Sequence, residues 1–353
     1  MKQSSTTVQE IIKEAKRGKM FILVDNKDRE NEGDLVIPAS KINAKKINFM
    51  AKHGRGLICL ALTQEKVKKL KLPLMSLINK SRTQTAFTVS IEAKKGISTG
   101  ISAYDRAKTI KVAIKNSSGS RDIVSPGHVF PLVSKNGGVL ERAGHTEASV
   151  DISKLAKLNP SAVICEVMNE DGTMARYNDL VPFSKKHNLK IAKIEDLISY
   201  RLKNEKFIKM ISNRKINIKR FGNYYLKVFK NKLDGAEHYA VTSKNFSYRK
   251  SPRVRVISTN IINTIFNFKN NIFKSTLNYL SKFNNFALII VKSPSHTKNS
   301  KEKSKILRYY GVGAQIIKEL KIKDMILVSR SKKRIIALKG YGIKIKKQEI
   351  IKK

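Results

Sequence analysis

The sequence predicts an α/β protein of two domains, and three observations carry that expectation. Its 353 residues suffice for about two independently cored domains. Across the first part, segments with apolar residues at helical spacing alternate with short apolar runs, the pattern of helices covering a sheet. Near Arg201 the composition changes: residues 1–201 hold 35 Lys+Arg against 20 Asp+Glu (+15), and residues 202–353 hold 37 against 7 (+30).

Residues 7–16 place Val8, Ile11, Ile12 and Ala15 on one face, so they should form a helix capped by Thr6 or Thr7. Residues 20–24 read as a short buried strand running directly into an acidic segment. A strand is predicted over 56–61, a helix over 64–70 and an alternating strand over 87–92. Residues 98–109 begin as a polar loop and carry Asp105-Arg106 at a helix start. Strands over 129–133 and 162–167 bracket a loop around Arg142, and a helix over 194–202 closes the domain. In the second part, residues 287–291 and 325–328 keep an apolar strand pattern.

The hydrophobic fraction of 41% is that of a globular protein. No apolar run approaches the roughly 18 residues of a membrane span, and Met1-Lys2-Gln3-Ser4-Ser5-Thr6-Thr7 has no apolar signal core. A cytoplasmic location is the expectation. Cys59 and Cys165 are the only cysteines, too few for a disulfide framework or a multi-cysteine zinc site. Both sit in apolar, strand-like contexts as small buried hydrophobes, and Cys59 could line a pocket if its strand ends at one. The net charge of +45 would suit a polyanion, yet Asn, Ile and Lys rise together in the second part, as compositional drift also produces. Nucleic acid is therefore not the expected partner.

Against that charge, Asp28-Arg29-Glu30-Asn31-Glu32-Gly33-Asp34 gathers four carboxylates in seven residues. If the segment is extended, Glu30, Glu32 and Asp34 project from one face, and a hard divalent cation would relieve their repulsion. A solvated acidic turn is the plainer alternative. Downstream, Arg142-Ala143-Gly144-His145-Thr146-Glu147 offers a guanidinium fork for phosphate oxygens, a glycine permitting close approach and an imidazole able to complete a metal shell. By itself the hexapeptide is equally an ordinary loop. Glu166 ends an apolar strand beside Cys165, where an unpaired carboxylate would be costly, and this favours a site role. His128 follows Pro126-Gly127 and reads alone as a hydrogen-bonded loop residue, while His53 and His187 read as structural or surface residues. Asp105-Arg106 fits a helix-start ion pair and part of a substrate lid equally well.

Together these motifs make residues 1–201 resemble 3,4-dihydroxy-2-butanone 4-phosphate synthase of riboflavin biosynthesis. The likeness also includes His53-Gly54, Ser98-Thr99-Gly100-Ile101-Ser102-Ala103, Pro126-Gly127-His128-Val129-Phe130-Pro131-Leu132 and Asp171-Gly172-Thr173-Met174-Ala175-Arg176. It implies a three-layer α/β domain with a mixed sheet that converts D-ribulose 5-phosphate into L-3,4-dihydroxy-2-butanone 4-phosphate and formate. Magnesium is the implied cofactor, with manganese as an alternative ion. The resemblance further implies that Glu30 and His145 hold the metal, and that His128 and Glu166 are essential to catalysis. Arg29, Glu30, Asp34, Arg142, Ala143, Gly144, His145, Thr146 and Glu166 would contact the sugar phosphate. Glu166, Asp34 and His128 are the groups available to shuttle protons. Because the family's active site is completed across a twofold interface, a homodimer is expected.

Residues 202–353 resemble a smaller α/β domain, GTP cyclohydrolase II, through Gly235-Ala236-Glu237-His238-Tyr239-Ala240-Val241, Arg253-Val254-Arg255-Val256, Tyr310-Gly311-Val312-Gly313-Ala314-Gln315 and Leu338-Lys339-Gly340-Tyr341-Gly342-Ile343. That family holds zinc with cysteines shortly after the Arg-Val stretch, yet residues 202–353 contain none. Ile257-Ser258-Thr259 stands where the first ligand is expected, and hydroxyls are poor zinc ligands. The phosphate-cradling Glu-Gly-Arg-Gly loop gives way to Val291-Lys292-Ser293-Pro294-Ser295-His296, and a catalytic Asp-x-Arg to Ile306-Leu307-Arg308. The expectation is one active site, in residues 1–201, followed by a degenerate domain that uses no zinc and lacks cyclohydrolase II activity. A separate GTP cyclohydrolase II would supply the missing step. Residual cyclohydrolase II activity, or a regulatory or polyanion-binding role for the second domain, are the alternatives.

Overall fold

Thr7 opens the first helix, α1 (Val8–Arg17), with a capping box: its side chain accepts from the Glu10 amide, and Glu10 reaches back to the Thr7 amide. Gly18, at φ 71°, ends the helix in the left-handed conformation. The computed structural model describes residues 6–26, 29–76, 78–80, 83, 85–259, 272–292, 303–330 and 342–351. The readings placed on Asp28, on residues 293–296 and on residues 338–341 lie outside them. The chain divides into two units, Met1–Tyr200 and Arg201–Lys353.

In the first unit, β1 (Phe21–Val24), β2 (Gly33–Pro38), α2 (Ala44–Phe49), β3 (Cys59–Leu62), α3 (Gln64–Lys69) and β4 (Ile91–Ala93) follow α1. Then come α4 (Ala103–Ile114), β5 (Ile123–Val133), α5 (His145–Leu155), β6 (Ala162–Glu166), α6 (Tyr177–Lys186) and β7 (Lys190–Lys193), and α7 (Ile194–Asn204) runs across the division after Tyr200. The strands form one sheet in the order β4-β5-β3-β6-β2-β1-β7. Pairings β5 with β3 and β1 with β7 are parallel and the rest antiparallel, so the sheet is mixed as expected.

Strand alternation sorts the apolar residues onto two covered faces. Ile22, Leu35, Ile37, Leu60 and Cys165 pack with Ile47, Met50, Ala107 and Ile110 from α2, the turn after it and α4. Their neighbours Phe21, Leu23, Val36, Cys59 and Ile164 are buried on the opposite face, which α5 crosses. Helices on both faces make the three-layer α/β fold.

Three local expectations are corrected. The stretch 87–92 is not a continuous strand: β4 covers only Ile91–Ala93, and its ladder with β5 shifts register between Ile91 and Glu92. Phe87 and Thr88 form isolated bridges instead. The acidic segment is not extended throughout, since residues 29–30 form a turn, Asn31 takes φ 57° and β2 starts only at Gly33. The region around Arg142 is not simply a loop between strands, because α5 begins at His145.

The second unit contains β8 (Ile208–Ile218), β9 (Gly222–Asn231), β10 (Glu237–Ser243), β11 (Arg253–Thr259), α8 (Ile272–Leu280), β12 (Phe286–Lys292), α9 (Lys303–Glu319), β13 (Asp324–Ser329) and β14 (Lys344–Ile350). Its sheet, ordered β14-β13-β11-β12-β10-β9-β8, is antiparallel from β8 to β12 and parallel from β12 to β14. Leu277 and Leu280 of α8 pack on Tyr224, Val241, Phe286, Leu288 and Val328.

Gln315 of α9 is 5% exposed and joins this unit's first strand to its helical layer. Its Oε1 accepts from the amides of Phe207 (3.1 Å) and Ile208 (3.3 Å), and its Nε2 donates to the carbonyls of Leu202 and Glu205. Gln315→Leu keeps the bulk and strands these buried groups. It should cost about 2–3 kcal/mol, read as a lower denaturant midpoint at unchanged m-value.

Candidate active site

One cavity of about 630 Å3 in the first unit gathers Arg29, Glu30, Glu32, Asp34, Arg142, His145, Thr146 and Glu166, with Cys59 in its wall. They come from three stretches of chain, and a specific local device seats each stretch.

The acidic turn is organised by Asp25, which directly follows β1. Its carboxylate accepts from Arg29 Nη1 (2.9 Å), the Glu30 amide (3.1 Å) and the Glu32 amide (2.8 Å). Arg176 clamps the turn from outside, donating to the carbonyls of Glu30 and Asn31 and lying 3.4 Å from Glu32 Oε1. Arg29 also pairs with Glu30 Oε2 at 2.5 Å.

Asp34 and Glu166 face each other as a cross-strand pair of β2 and β6. Asp34 is only 3% exposed. Burial pushes its carboxyl well above the usual range, and the charges of Glu166 and Glu30 push it further. Burial also raises Glu166, opposed by the backbone amides it accepts from, among them Leu57 at 2.9 Å. The adjacent Gly56 is required by contact: a Cβ there would stand 2.6 Å from Glu166 Oε2.

α5 starts without a side-chain cap, Gly144 being its N-cap, so its first amides have no capping partner. Arg142 just before it is braced: Nη1 donates to Glu147 Oε2 (2.7 Å), and Nη2 to Thr83 O and Thr85 Oγ1 (3.0 Å each). Glu147 is 1% exposed and also accepts from the Lys135 amide. Asp151, one turn further, accepts from the Val139 amide and ties down the approach to Arg142.

His145, the first residue of α5, is 6% exposed, and burial lowers its pKa against the pull of Asp25, keeping the ring neutral. Its Nδ1 lies 3.7 Å from Asp34 Oδ1 and 4.0 Å from Glu30 Oε2. Its Nε2 is buried without a hydrogen-bond partner. Among the described residues, Asp25, Glu30 and His145 can bring ligand atoms within 4.8 Å of one another. Asp25 also anchors the turn and Glu30 also pairs with Arg29, so these three, with Asp34 beside them, are the groups that could hold a divalent cation. A neutral imidazole whose Nδ1 faces two crowded carboxylates is the chemistry such an ion would satisfy.

Other sequence candidates lie elsewhere. Ala143 and Gly144 join Arg142 to His145 and are not in the cavity wall. His128 is also outside it: Leu132 of the same strand lines the cavity, and His128 lies four residues away, roughly 13 Å along an extended strand. Its Nδ1 pairs with Glu92. His53 and His187 stack 4.7 Å apart beside Phe49 and Phe183, away from the cavity wall. Asp105 accepts from Ser98 Oγ and the Gly100 amide near the start of α4 and makes no ion pair with Arg106. Asp25 and Asp151 belong to none of the sequence motifs, and Glu147 and Arg176 stand inside motifs without a chemistry of their own. The signal available for Asp25 was its place directly between an apolar strand and the acidic segment.

Groups able to hold a cation and an anion surround one cavity on a sheet covered by helices, an arrangement suited to an α/β enzyme. The sequence profile of 3,4-dihydroxy-2-butanone 4-phosphate synthase matches residues 9–200 and that of GTP cyclohydrolase II residues 276–350. The chain belongs to the 3,4-dihydroxy-2-butanone 4-phosphate synthase family. It is 42% identical to the riboflavin biosynthesis protein RibBA of Aquifex aeolicus, over 98% of this chain and 92% of that protein. It superposes with TM-score 0.85 at 38% identity on RibBX, a two-domain 3,4-dihydroxy-2-butanone 4-phosphate synthase from A. baumannii, covering 99% of this chain and 100% of the other. A synthase solved in complex with two magnesium ions matches 56% of this chain and 98% of its own, with TM-score 0.54 and 36% identity.

The buried Asp34 carboxyl carries a stability cost with a defined sign. With its folded pKa raised above the unfolded value, stability is lost as pH rises past that unfolded value, about 3.9. Asp34→Asn should therefore raise the melting temperature of the metal-free protein at neutral pH. The gain should vanish below about pH 4, where aspartate is protonated in both states.

Proposed function

We propose that the first unit converts D-ribulose 5-phosphate into L-3,4-dihydroxy-2-butanone 4-phosphate and formate for riboflavin biosynthesis. The observation that carries this reading is the convergence of Glu30, Asp34, Arg142, His145, Thr146 and Glu166 on one cavity of a chain belonging to this family.

Glu30 and His145 would hold magnesium, or manganese, which supplies Lewis-acid charge at adjacent substrate oxygens. Arg142, the Thr146 hydroxyl and the first amides of α5 receive the phosphate; the bracing of Arg142 by Glu147 and Thr85 fixes the fork before substrate arrives. Arg29 and Asp34 flank the sugar. Glu166 handles protons: burial favours its neutral acid, so Oε can give as well as take a proton nearer neutral pH than an exposed glutamate could. The Leu57 amide fixes the direction of that transfer by holding Oε2.

His128 enters catalysis by family resemblance, and its place outside the cavity wall fits a homodimer in which a second copy brings its own His128 to the site. No helix among the described residues is long and apolar enough to cross a membrane, and a cytoplasmic location is part of this reading.

The second unit is read as inactive toward GTP. Residues 202–353 have no cysteine to hold zinc, and Ser258, near the expected first ligand, is exposed towards the end of β11. RibBX, a solved relative that covers both units, is named a two-domain 3,4-dihydroxy-2-butanone 4-phosphate synthase. A separate GTP cyclohydrolase II then supplies that step.

Given ribulose 5-phosphate and magnesium, the full-length protein should release formate, and EDTA should abolish the activity until magnesium or manganese is restored. Glu30→Ala and His145→Ala should each lower kcat on the order of 100-fold or more; formate release persisting in either would sink the metal assignment. With GTP and zinc, the protein should yield neither formate nor pyrophosphate. Complementation of a strain lacking only GTP cyclohydrolase II would overturn the inactive second unit.

A further inference from the structure

The Glu92 side chain is 16% exposed and lies outside the cavity wall. Its hydrogen-bonding partner among the described residues is Nδ1 of His128, a side chain 43% exposed. Two glycines clear the space for this pair. A Cβ on Gly127 would stand 2.2 Å from the Ile91 carbonyl carbon and 2.3 Å from Glu92 Cγ, and one on Gly100 would stand 1.8 Å from Glu92 Oε1. Gly100 is also demanded by its φ of +87°, but Gly127 has no positive φ, so close approach is what requires glycine there. The Gly127 amide donates to Ser90 Oγ (3.1 Å), and the β4–β5 ladder changes register beside Glu92. This edge of the sheet is shaped around the carboxylate and departs from regular pairing to hold it.

Burying most of a carboxylate is unfavourable, and a partly exposed ion pair contributes little stability in return. Such an arrangement has a chemical use instead. A carboxylate accepting from Nδ1 keeps the proton on that nitrogen and leaves the Nε2 lone pair outward. We infer that Glu92 is the positioning residue for His128, locking its imidazole in the Nδ1–H tautomer so that Nε2 is the atom that takes and returns a substrate proton. When Nε2 takes the proton the ring becomes imidazolium, and the fixed Glu92 charge balances it without itself gaining a proton. The inference rests on the catalytic part proposed for His128.

The test uses the full-length protein. With 15N-labelled histidine, and the His128 signals among six histidines assigned by comparison with His128→Asn, the resting enzyme should show a protonated Nδ1 and an unprotonated Nε2 on His128. The opposite tautomer, or a mixture of the two, would overturn the inference with no Glu92 variant needed. Glu92→Gln keeps the size and removes the charge. It should lower kcat for formate release about tenfold or more while KM changes less than about twofold. Its melting temperature should stay within about 2 °C of the parent. A wild-type kcat in Glu92→Gln, beside an inactive His128→Asn, would leave the pair merely structural and defeat the inference. Full activity in His128→Asn would remove the catalytic role of His128 first, and the inference with it, so the two failures are distinguishable.

Discussion

The antiparallel pairing of β2 with β6 sets Asp34 against Glu166, and the first unit is organised around tolerating that pair. Like charges directly opposite on one sheet face destabilise a ladder, and burial removes the water that would screen them. What keeps the acids together is the apolar remainder of the same two strands. Leu35, Ile37, Val163 and Cys165 pack into the core under α2 and α4. A one-residue slip of β2 would turn Leu35 toward the cavity and send Asp34 into that core, and a slip of β6 would do the same with Cys165 and Glu166, so the hydrophobic faces enforce the unfavourable register.

The surrounding devices follow from the same constraint. Glu166 can stay in place only because Gly56 leaves room and the Leu57 amide meets its carboxylate. Glu30 approaches only because Asp25 collects the amides of a turn that would otherwise splay. His145 turns Nδ1 of a neutral ring toward this acidic neighbourhood from the start of α5, an end of a helix whose dipole is positive. Each element lowers the cost of bringing these carboxyl groups together, and a divalent ion would favour their charged forms.

The parts legible in the sequence were those governed by local pattern. Helix α1, with its Thr7 cap, and the apolar strands at Phe21–Val24, Ala162–Glu166 and Phe286–Lys292 follow from spacing and hydrophobicity alone. α5 was not legible: its buried face includes His145, Thr146, Glu147, Ser149, Asp151 and Ser153, a polar series with no amphipathic stripe and several weak helix formers. The long β8–β9 hairpin was not anticipated either, since its largely exposed, lysine-bearing β8 lacks a continuous apolar face. At the site, Glu30, Asp34, Arg142, His145, Thr146 and Glu166 stood out through motif chemistry. The residues that hold them did not, because Arg176 meets Glu30 across 146 positions and Asp25 works through backbone amides. Such roles exist only after the strands have paired.

The second unit separates what holds a fold from what performs chemistry. Arg253, in the Arg-Val stretch, bonds Glu349 through Nε (2.9 Å) and Nη2 (3.1 Å), and its guanidinium lies 3.6 Å from the centroid of the Phe283 ring. Tyr279 donates to the same carboxylate. Gln315, in another surviving stretch, has four partners within the unit. These residues spend their polar atoms on the protein itself, so their loss would strand buried partners and destabilise the unit directly. Zinc-ligating cysteines and a phosphate-cradling loop have the opposite character, because their valences are satisfied by ligands and their replacement leaves no buried partner unpaired. Residues 202–353 hold the first kind in Arg253 and Gln315, and they contain no cysteine.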